Sequence, residues 1–183
     1  MNENASDNFG LFVAYLIPGA TVIWGLSQFS PELQSWFAAT PQNAPTIGGF
    51  LYLTVASLAA GMIVSAIRWV IMDSIHARTG LAMPRLDFSR LGPNVEALSL
   101  LIEIHYRHYL FYSNAQVATA IAYICYRVHA GFSRPWGWLD IGVFALEIVL
   151  FAASRDTLRR YYSRSQQLLS APGDMAERQA EKS

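Results

Sequence analysis

The sequence predicts an all-α polytopic membrane protein with four transmembrane helices and cytoplasmic helical extensions. Three observations lead to this fold class. No charged residue occurs between Glu32 and Arg68, and an earlier charge-free stretch covers residues 8–31. Two later apolar runs, residues 109–126 and 136–154, are of similar length. Because a helix of about 20 apolar residues crosses the hydrocarbon core of a bilayer, each run is long enough to span it.

The overall composition agrees with a membrane location. Of the 183 residues, 53% are hydrophobic and 14% are charged, which is apolar-rich and charge-poor against an ordinary soluble domain. The formal net charge is zero, so the chain lacks the basic excess typical of nucleic-acid binding. The single cysteine, Cys125, excludes an intrachain disulfide and a multi-cysteine metal site.

The predicted spans cover about residues 9–30, 47–69, 108–128 and 136–155, and they form one bundle within residues 1–170. The first span is expected to be retained, because residues 1–8 contain no Lys or Arg of the kind that opens a cleaved export signal. Helical character continues over residues 62–79, 95–130 and 139–171, which predicts a cytoplasmic helical collar. The Gly- and Pro-containing residues 80–94 are expected to form a linker, and residues 171–183 a disordered polar tail.

The distribution of Lys and Arg predicts the orientation, since basic loops near the membrane tend to stay in the cytoplasm. With four spans, eleven basic residues fall in the middle loop and the C-terminal segment, and only Arg127 and Arg134 fall on the other side. Both termini are therefore predicted to be cytoplasmic. Trp136 and Trp138 at the start of the fourth span match an outer aromatic belt.

Small residues in the second span indicate a helix contact. Ser57, Gly61 and Ser65 recur every four residues on one helical face, which favours close approach of a neighbour in lipid, either in the same chain or in another copy. Pro18 in the first span is expected to kink the helix or loosen its backbone hydrogen bonding. Such a proline is compatible with a gating hinge or with a tolerated structural position.

Glu147 lies near the middle of the fourth run, where an ionisable group must face a partner or water. We expect it to point into the bundle. It then acts as a polar clamp between helices or lines an aqueous path.

A polar constellation occupies residues 103–114, at the cytoplasmic entry of the third span. Helical spacing predicts an ion pair between Glu103 and Arg107, and it places His105, His108, Tyr109 and Tyr112 along one face. We predict no metal here, because two histidines need further ligands and His129 falls on the opposite side of the membrane.

No catalytic residue, cofactor site or metal site is predicted. Asp73, Ser74 and His76 are residue types found in hydrolases, but on a helix Ser74 is one residue from Asp73 and two from His76, so its side chain points away from both. An intramembrane enzyme is therefore the least favoured function class.

Residues 105–114, together with Arg68, Trp69 and residues 80–90, resemble stretches of small uncharacterised multi-pass membrane proteins of bacteria. The resemblance implies a bacterial inner membrane and transfers no catalytic residue. Some four-span bacterial proteins of this size act in phage-defence operons, which here is an analogy of architecture.

The sequence leaves two function classes open. In the first, a non-enzymatic homo-oligomer forms or gates a membrane path in response to a cytoplasmic signal. In the second, the spans anchor a sensor subunit whose basic face docks a cytoplasmic protein partner or anionic lipid. Candidate polar or packing positions are Glu147, Glu103, His105, Arg107, His108, Arg68, Pro18, Ser57, Gly61 and Ser65; candidate docking positions are Arg155, Arg159, Arg160 and Arg164.

Overall fold

The computed structural model describes residues 3–37 and 47–169, and over these residues the predicted all-α class is confirmed. A 3-10 turn at Phe88–Arg90 precedes α4, and a π-helical segment at Ile102–Tyr106 joins α4 to α5. The predicted tail at residues 171–183 lies outside the described residues. The α-helices are α1 (Glu3–Ser27), α2 (Pro31–Phe37), α3 (Ile47–Arg78), α4 (Leu91–Leu101), α5 (Arg107–Ala130) and α6 (Trp138–Leu169).

The helix ends follow local chain chemistry. α3 ends at Arg78 because Gly80 adopts a φ of 88°, which lets the Leu81 N–H donate to the His76 carbonyl at 2.9 Å. The predicted linker ends earlier than expected, since α4 begins at Leu91 rather than after residue 94. Pro93 is accommodated because it occupies the first turn, where a backbone N–H has no intrahelical acceptor.

The four long helices, α1, α3, α5 and α6, alternate in direction. α1 and α5 run parallel, as a packed pair near Gly10 and Arg107 and a second near Gly25 and Ala122 show. α3 runs antiparallel to α1, and α6 runs antiparallel to α5. α1 packs between α3 and α5, while α6 packs mainly against α5. The apolar core between them contains Val22, Val64, Met72, Val117 and Ala118.

The small residues of α3 lie at the crossing with α1 of the same chain. A Cβ added at Gly61 would overlap the Tyr15 backbone carbonyl, and one added at Gly19 would overlap the backbone carbonyl of Ser57. Close backbone approach therefore requires glycine at both positions. The sequence left open whether Ser57 and Gly61 contact a helix of the same chain or of another copy. In the structure both contact α1 of the same chain.

Pro18 is buried inside α1, and the helix continues through it. Proline has no N–H, so the Ala14 carbonyl four residues earlier loses its intrahelical donor. The Asn114 side-chain amide of α5 donates to that carbonyl instead, at 3.2 Å, in a site where both residues are buried. A neighbouring helix thus replaces the hydrogen bond that Pro18 removes.

One helical stretch among the described residues, Gly48–Arg78, is long and apolar enough to cross a membrane. Phe12–Ser27 is a shorter apolar stretch. Only 17% of the most apolar part of α3 is buried within the bundle, so this helix differs from the core helix of a soluble protein. Its outward face exposes large apolar side chains, among them Phe50, Leu51, Val55, Met62, Ile63, Val70 and Ile71.

Candidate functional site at the π-helical end of the bundle

A π-helical segment precedes α5, and the four side chains predicted to share a face straddle the boundary between core and surface. His105 and Tyr109 are buried, whereas His108 is exposed and Tyr112 is half-buried. His108, Tyr109 and Tyr112 all lie in the regular helix α5, so their relative directions follow from ordinary α-helical spacing. No sequence pattern signalled the π turn, and such segments are frequent at functional sites.

Arg68 is buried and forms an ion pair with a half-buried residue on its own helix. Its Nη1 donates to Asp73 Oδ1 at 3.0 Å, and only 4% of the residue is exposed. The Tyr109 hydroxyl of α5 donates to the same carboxylate oxygen, and the guanidinium lies 5.2 Å from the centre of the Tyr109 ring. The hydrogen bond from Tyr109 to the Arg68–Asp73 ion pair therefore links α5 to α3.

His76 extends these contacts to α6. Its Nε2 lies 3.3 Å from Ser154 Oγ, its ring stacks on Phe151 at 5.4 Å, and both His76 and Ser154 are 0% exposed. The Ser154 hydroxyl donates to the Phe151 carbonyl at 3.0 Å, and in that arrangement Ser154 Oγ accepts from the imidazole Nε2–H. We call Arg68, Asp73, Tyr109, His76 and Ser154 the Arg68 cluster.

The His76 imidazole is held neutral by its surroundings. Burial lowers its pKa from the ordinary value, and the positive charges of Arg155 and Arg68 lower it further, against an opposing effect of Asp73. Its Nδ1 is buried without a hydrogen-bond partner among the described residues. Protonation would turn that nitrogen into a buried unpaired donor, which is costly.

The Arg68 cluster contains residue types of hydrolases without their arrangement. Ser154 and His76 are inaccessible to a substrate, and Asp73 bonds Arg68 and Tyr109 rather than His76. Ser74 is exposed and donates to the Val70 carbonyl at 2.6 Å. The Arg68 cluster links helices α3, α5 and α6, and it does not place a nucleophile beside a base.

The four arginines of the predicted basic face of α6 differ in their contacts. Arg155 donates to the Thr79 carbonyl at 2.8 Å and so closes the end of α3 against α6. Arg160 pairs with Asp156 of its own helix at 2.9 Å. Arg159 and Arg164 are exposed.

A groove lies beside the π segment, between α1 and α5. We call it the α1–α5 groove; its volume is about 430 Å³, and it is lined by Gly10, Val13, Glu103, Arg107, His108, Phe111 and Tyr112. The predicted ion pair is present there, with Arg107 Nη1 3.7 Å from Glu103 Oε1. A second groove of about 570 Å³, between α1 and α3, is lined by Tyr15, Leu58, Met62, Ser65, Ala66, Arg68 and Trp69.

Glu147 faces α5, where its carboxyl lies beside the Gln116 side chain. Each of the two side chains keeps one buried oxygen that has no hydrogen-bond partner among the described residues. The expected inward orientation of Glu147 is thus present, and Gln116 is a partner that sequence reasoning missed.

A second buried ion pair lies at the opposite end of the bundle and was also missed. Asp140 Oδ1 accepts from the Tyr123 hydroxyl at 2.6 Å and from Arg127 Nη1 at 3.4 Å, and Asp140 Oδ2 accepts from the Gly137 N–H at 2.6 Å. Arg127 Nη2 also donates to the Arg134 carbonyl at 3.0 Å. We call Tyr123, Arg127 and Asp140 the Arg127 cluster. Two opposite charges flanking a short loop were the available signal.

Among the described residues, no three His, Cys, Asp or Glu side chains come together in a way that could hold a metal ion. The chain was compared with protein-family models, with curated proteins and with solved structures, and none of the three comparisons found a match.

Proposed function

We propose that this chain is a non-enzymatic integral protein of the bacterial inner membrane that forms or gates a membrane path as a homo-oligomer. Its four long helices cross the bilayer, with both termini in the cytoplasm. The observation that carries the proposal is the outward face of α3, which is apolar over most of its length and little buried. Large exposed apolar surfaces mark contact with lipid or with another protein.

Contacts inside the bundle support α5 and α6 as further spans. Their polar residues lower their apolarity, but these residues turn inward: Asp140 bonds Tyr123 and Arg127, Glu147 faces Gln116, and Asn114 bonds α1. Polar groups at membrane depth require such internal partners. The outward side of α6 exposes Leu139, Ile141, Phe144, Leu146, Ile148 and Val149.

The alternating helix directions support the proposed orientation. They bring the beginnings of α1 and α5 to the end of the bundle that carries Arg68, Arg107 and Arg155. That end is the one which basic-residue counting assigns to the cytoplasm. The resemblance of residues 105–114 to bacterial multi-pass proteins favours the same membrane.

Two features support an oligomeric path over a simple anchor. α6 packs mainly on α5, which leaves its remaining apolar surface available to a second copy. Behind that surface, the Glu147–Gln116 pair retains oxygens without a protein partner among the described residues, and these can bind water or a cation. A rearrangement of α6 would place the Glu147–Gln116 pair in the wall of the membrane path.

Flux from liposomes tests the proposal. Purified protein is expected to release a small ion or dye from vesicles, and Glu147→Gln and Glu147→Ala are expected to change the rate. Glu96→Gln, on the exposed face of α4, is the matched control and should leave the rate unchanged. Vesicles that stay tight with correctly inserted wild-type protein, under all conditions tried, would remove the idea.

The exposed Arg159 and Arg164 favour a second candidate, in which the spans anchor a sensor that docks a cytoplasmic protein, such as a component of a phage-defence system. Charge reversal at both positions should abolish co-purification of that partner without affecting insertion. Arg160→Glu is a weaker comparison variant, because Arg160 already pairs with Asp156. Unchanged co-purification in the double variant would count against docking.

A further inference from the structure

His76 lies at the end of the bundle assigned above to the cytoplasm, and three helices enclose it. Its ring stacks on Phe151 of α6 with 5.4 Å between ring centres, and it lies 6.0 Å from the centre of the Tyr109 ring of α5. None of the surface of His76 is exposed. A charge on this imidazole would therefore be buried in a site closed to solvent, where an ion is costly.

The hydrogen bonds around the ring fit the neutral imidazole. Nε2–H donates to Ser154 Oγ over 3.3 Å, and Nδ1 is buried without a hydrogen-bond partner among the described residues. The neutral ring has one N–H, and Ser154 accepts it. Protonation adds a second N–H at Nδ1, which in the present packing would be a buried donor without an acceptor among the described residues.

The charged groups that face the ring belong to α3 and α6, and two of the three are positive. Burial lowers the pKa of His76 most, and the charges of Arg155 and Arg68 lower it further. Asp73 has the opposite effect on this pKa, but its Oδ1 already accepts from Arg68 and from the Tyr109 hydroxyl. A positive charge on His76 would therefore be repelled by Arg155 across the contact between α3 and α6.

α6 is held to its neighbours differently at its two ends. At one end, the Arg127 cluster links it to α5. At the other end it meets α3 through side chains, with His76 beside Ser154 and with Arg155 Nη2 donating to the Thr79 carbonyl. Because α6 packs mainly against α5, weakening these contacts would let it pivot about the Arg127 cluster. α4 packs against the same end of α6, and the π-helical segment between α4 and α5 is a place where that unit can bend.

We propose that protonation of His76 releases this end of α6 from α3, and that a fall in cytoplasmic pH is thereby the signal that opens the membrane path. The proton comes from cytoplasmic water and adds to Nδ1. Glu147 lies on α6 halfway between Asp140 and Ser154, so the pivot would shift the Glu147–Gln116 pair. The opening of a path rests on the function proposed above, whereas the release of α6 does not.

Distances between spin labels on α3 and α6 test the release without a transport measurement. Ser74→Cys and Ser163→Cys, at exposed positions, carry the labels in a Cys125→Ser background. We expect a longer distance to gain population once the pH falls below the ordinary histidine value of 6.5. The ratio of long to short distances should rise by up to about tenfold per pH unit, since one proton is bound. A distribution that does not change with pH would overturn the proposal.

Substitutions assign the effect to His76. His76→Gln does not titrate but keeps an N–H for Ser154, so the short distance should persist down to about pH 5. His108→Gln, which removes an exposed histidine of α5, is the matched control and should behave as the wild type. If circular dichroism shows that His76→Gln does not fold, His76→Leu, which also binds no proton, takes its place. A pH response that survives in the variant without a titratable side chain at this position would overturn the proposal.

Label distances and flux are separate readouts, so the two proposals fail separately. With the cytoplasmic face at low pH, dye release should increase in the wild type and stay unchanged in His76→Gln. Separation of α3 from α6 in vesicles that stay tight would remove the membrane path and leave the release of α6. Flux without any separation would do the reverse.

Discussion

Two clusters that share an Arg, an Asp and a Tyr occupy opposite ends of the bundle and have different effects; the Arg68 cluster also contains His76 and Ser154. In the Arg127 cluster, Asp140 lies 13 and 17 residues from its arginine and tyrosine, so the contacts fix the turn between α5 and α6. In the Arg68 cluster, Tyr109 lies 36 residues from Asp73, and Ser154 lies 78 residues from His76. The first cluster holds a loop, and the second holds three helices together.

The clusters also differ in how completely their polar atoms are paired. Arg127 donates to Asp140 and to loop carbonyls, whereas Arg68 Nε and His76 Nδ1 are buried without a partner among the described residues. Incompletely paired buried groups are costly, so the Arg68 end is the less stable arrangement. The three shared residue types are thus more completely hydrogen-bonded at the Arg127 end of the bundle than at the Arg68 end.

Asp140→Ala is expected to have the largest effect. Asp140 and Arg127 are both buried by exposed area, and removing the acid leaves the Arg127 charge without its carboxylate, which is strongly destabilising. Chemical unfolding in detergent measures the free energy, and hydrogen exchange should show the loss of protection concentrated in residues 131–140. A loss spread evenly over α3 and α6 would contradict the local role of this cluster.

Asp73→Ala should cost somewhat less, about 2 kcal/mol, because the Asp73 side chain is 35% exposed and water can partly solvate Arg68 after the change. The loss of protection should here reach α3, α5 and α6 together. Asp87→Ala, which removes an exposed cap in the linker, is the control. Protection lost in α3 alone would break the distinction between the two clusters.

Tyr109→Phe and Tyr123→Phe form a matched pair that sharpens the comparison. Each removes one hydroxyl that donates to a carboxylate, so both variants should be moderately destabilised. The free energies of unfolding should be similar, but only Tyr109→Phe should separate α3 from α5, as measured by distances between spin labels on those helices. Equal separation in the two variants would contradict the assignment.

The smallest expected effect is a pH dependence. His76 has a lower pKa in the folded protein than in the unfolded chain, so the unfolded chain binds more protons over this range. Stability is therefore full above the ordinary histidine value of 6.5 and falls as the pH drops below it. The melting temperature measured from about pH 8 to about pH 5 should fall less in His76→Gln than in the wild type.

Parallel slopes in the wild type and His76→Gln would show that the pH dependence arises elsewhere. The Arg127 cluster contains no histidine and should contribute little slope in this range.

The sequence predicted the helices well because apolar runs and Gly–Pro punctuation are local signals. It predicted Glu103–Arg107 for the same reason, since spacing along one helix is sufficient. It could not predict the pairing of Ala14 with Asn114 or of His76 with Ser154, because each joins helices far apart in the chain. The π turn at Ile102–Tyr106 was missed because its extra residue has no compositional signature.

Pro18 has a consequence for biogenesis. The carbonyl that it leaves open, on Ala14, finds its donor 100 residues later in the chain. A chain that has been synthesised only as far as α4 has no α5 to supply that donor. Synthesis of α5 provides it, so chains truncated before Asn114 should be degraded faster than the full-length chain.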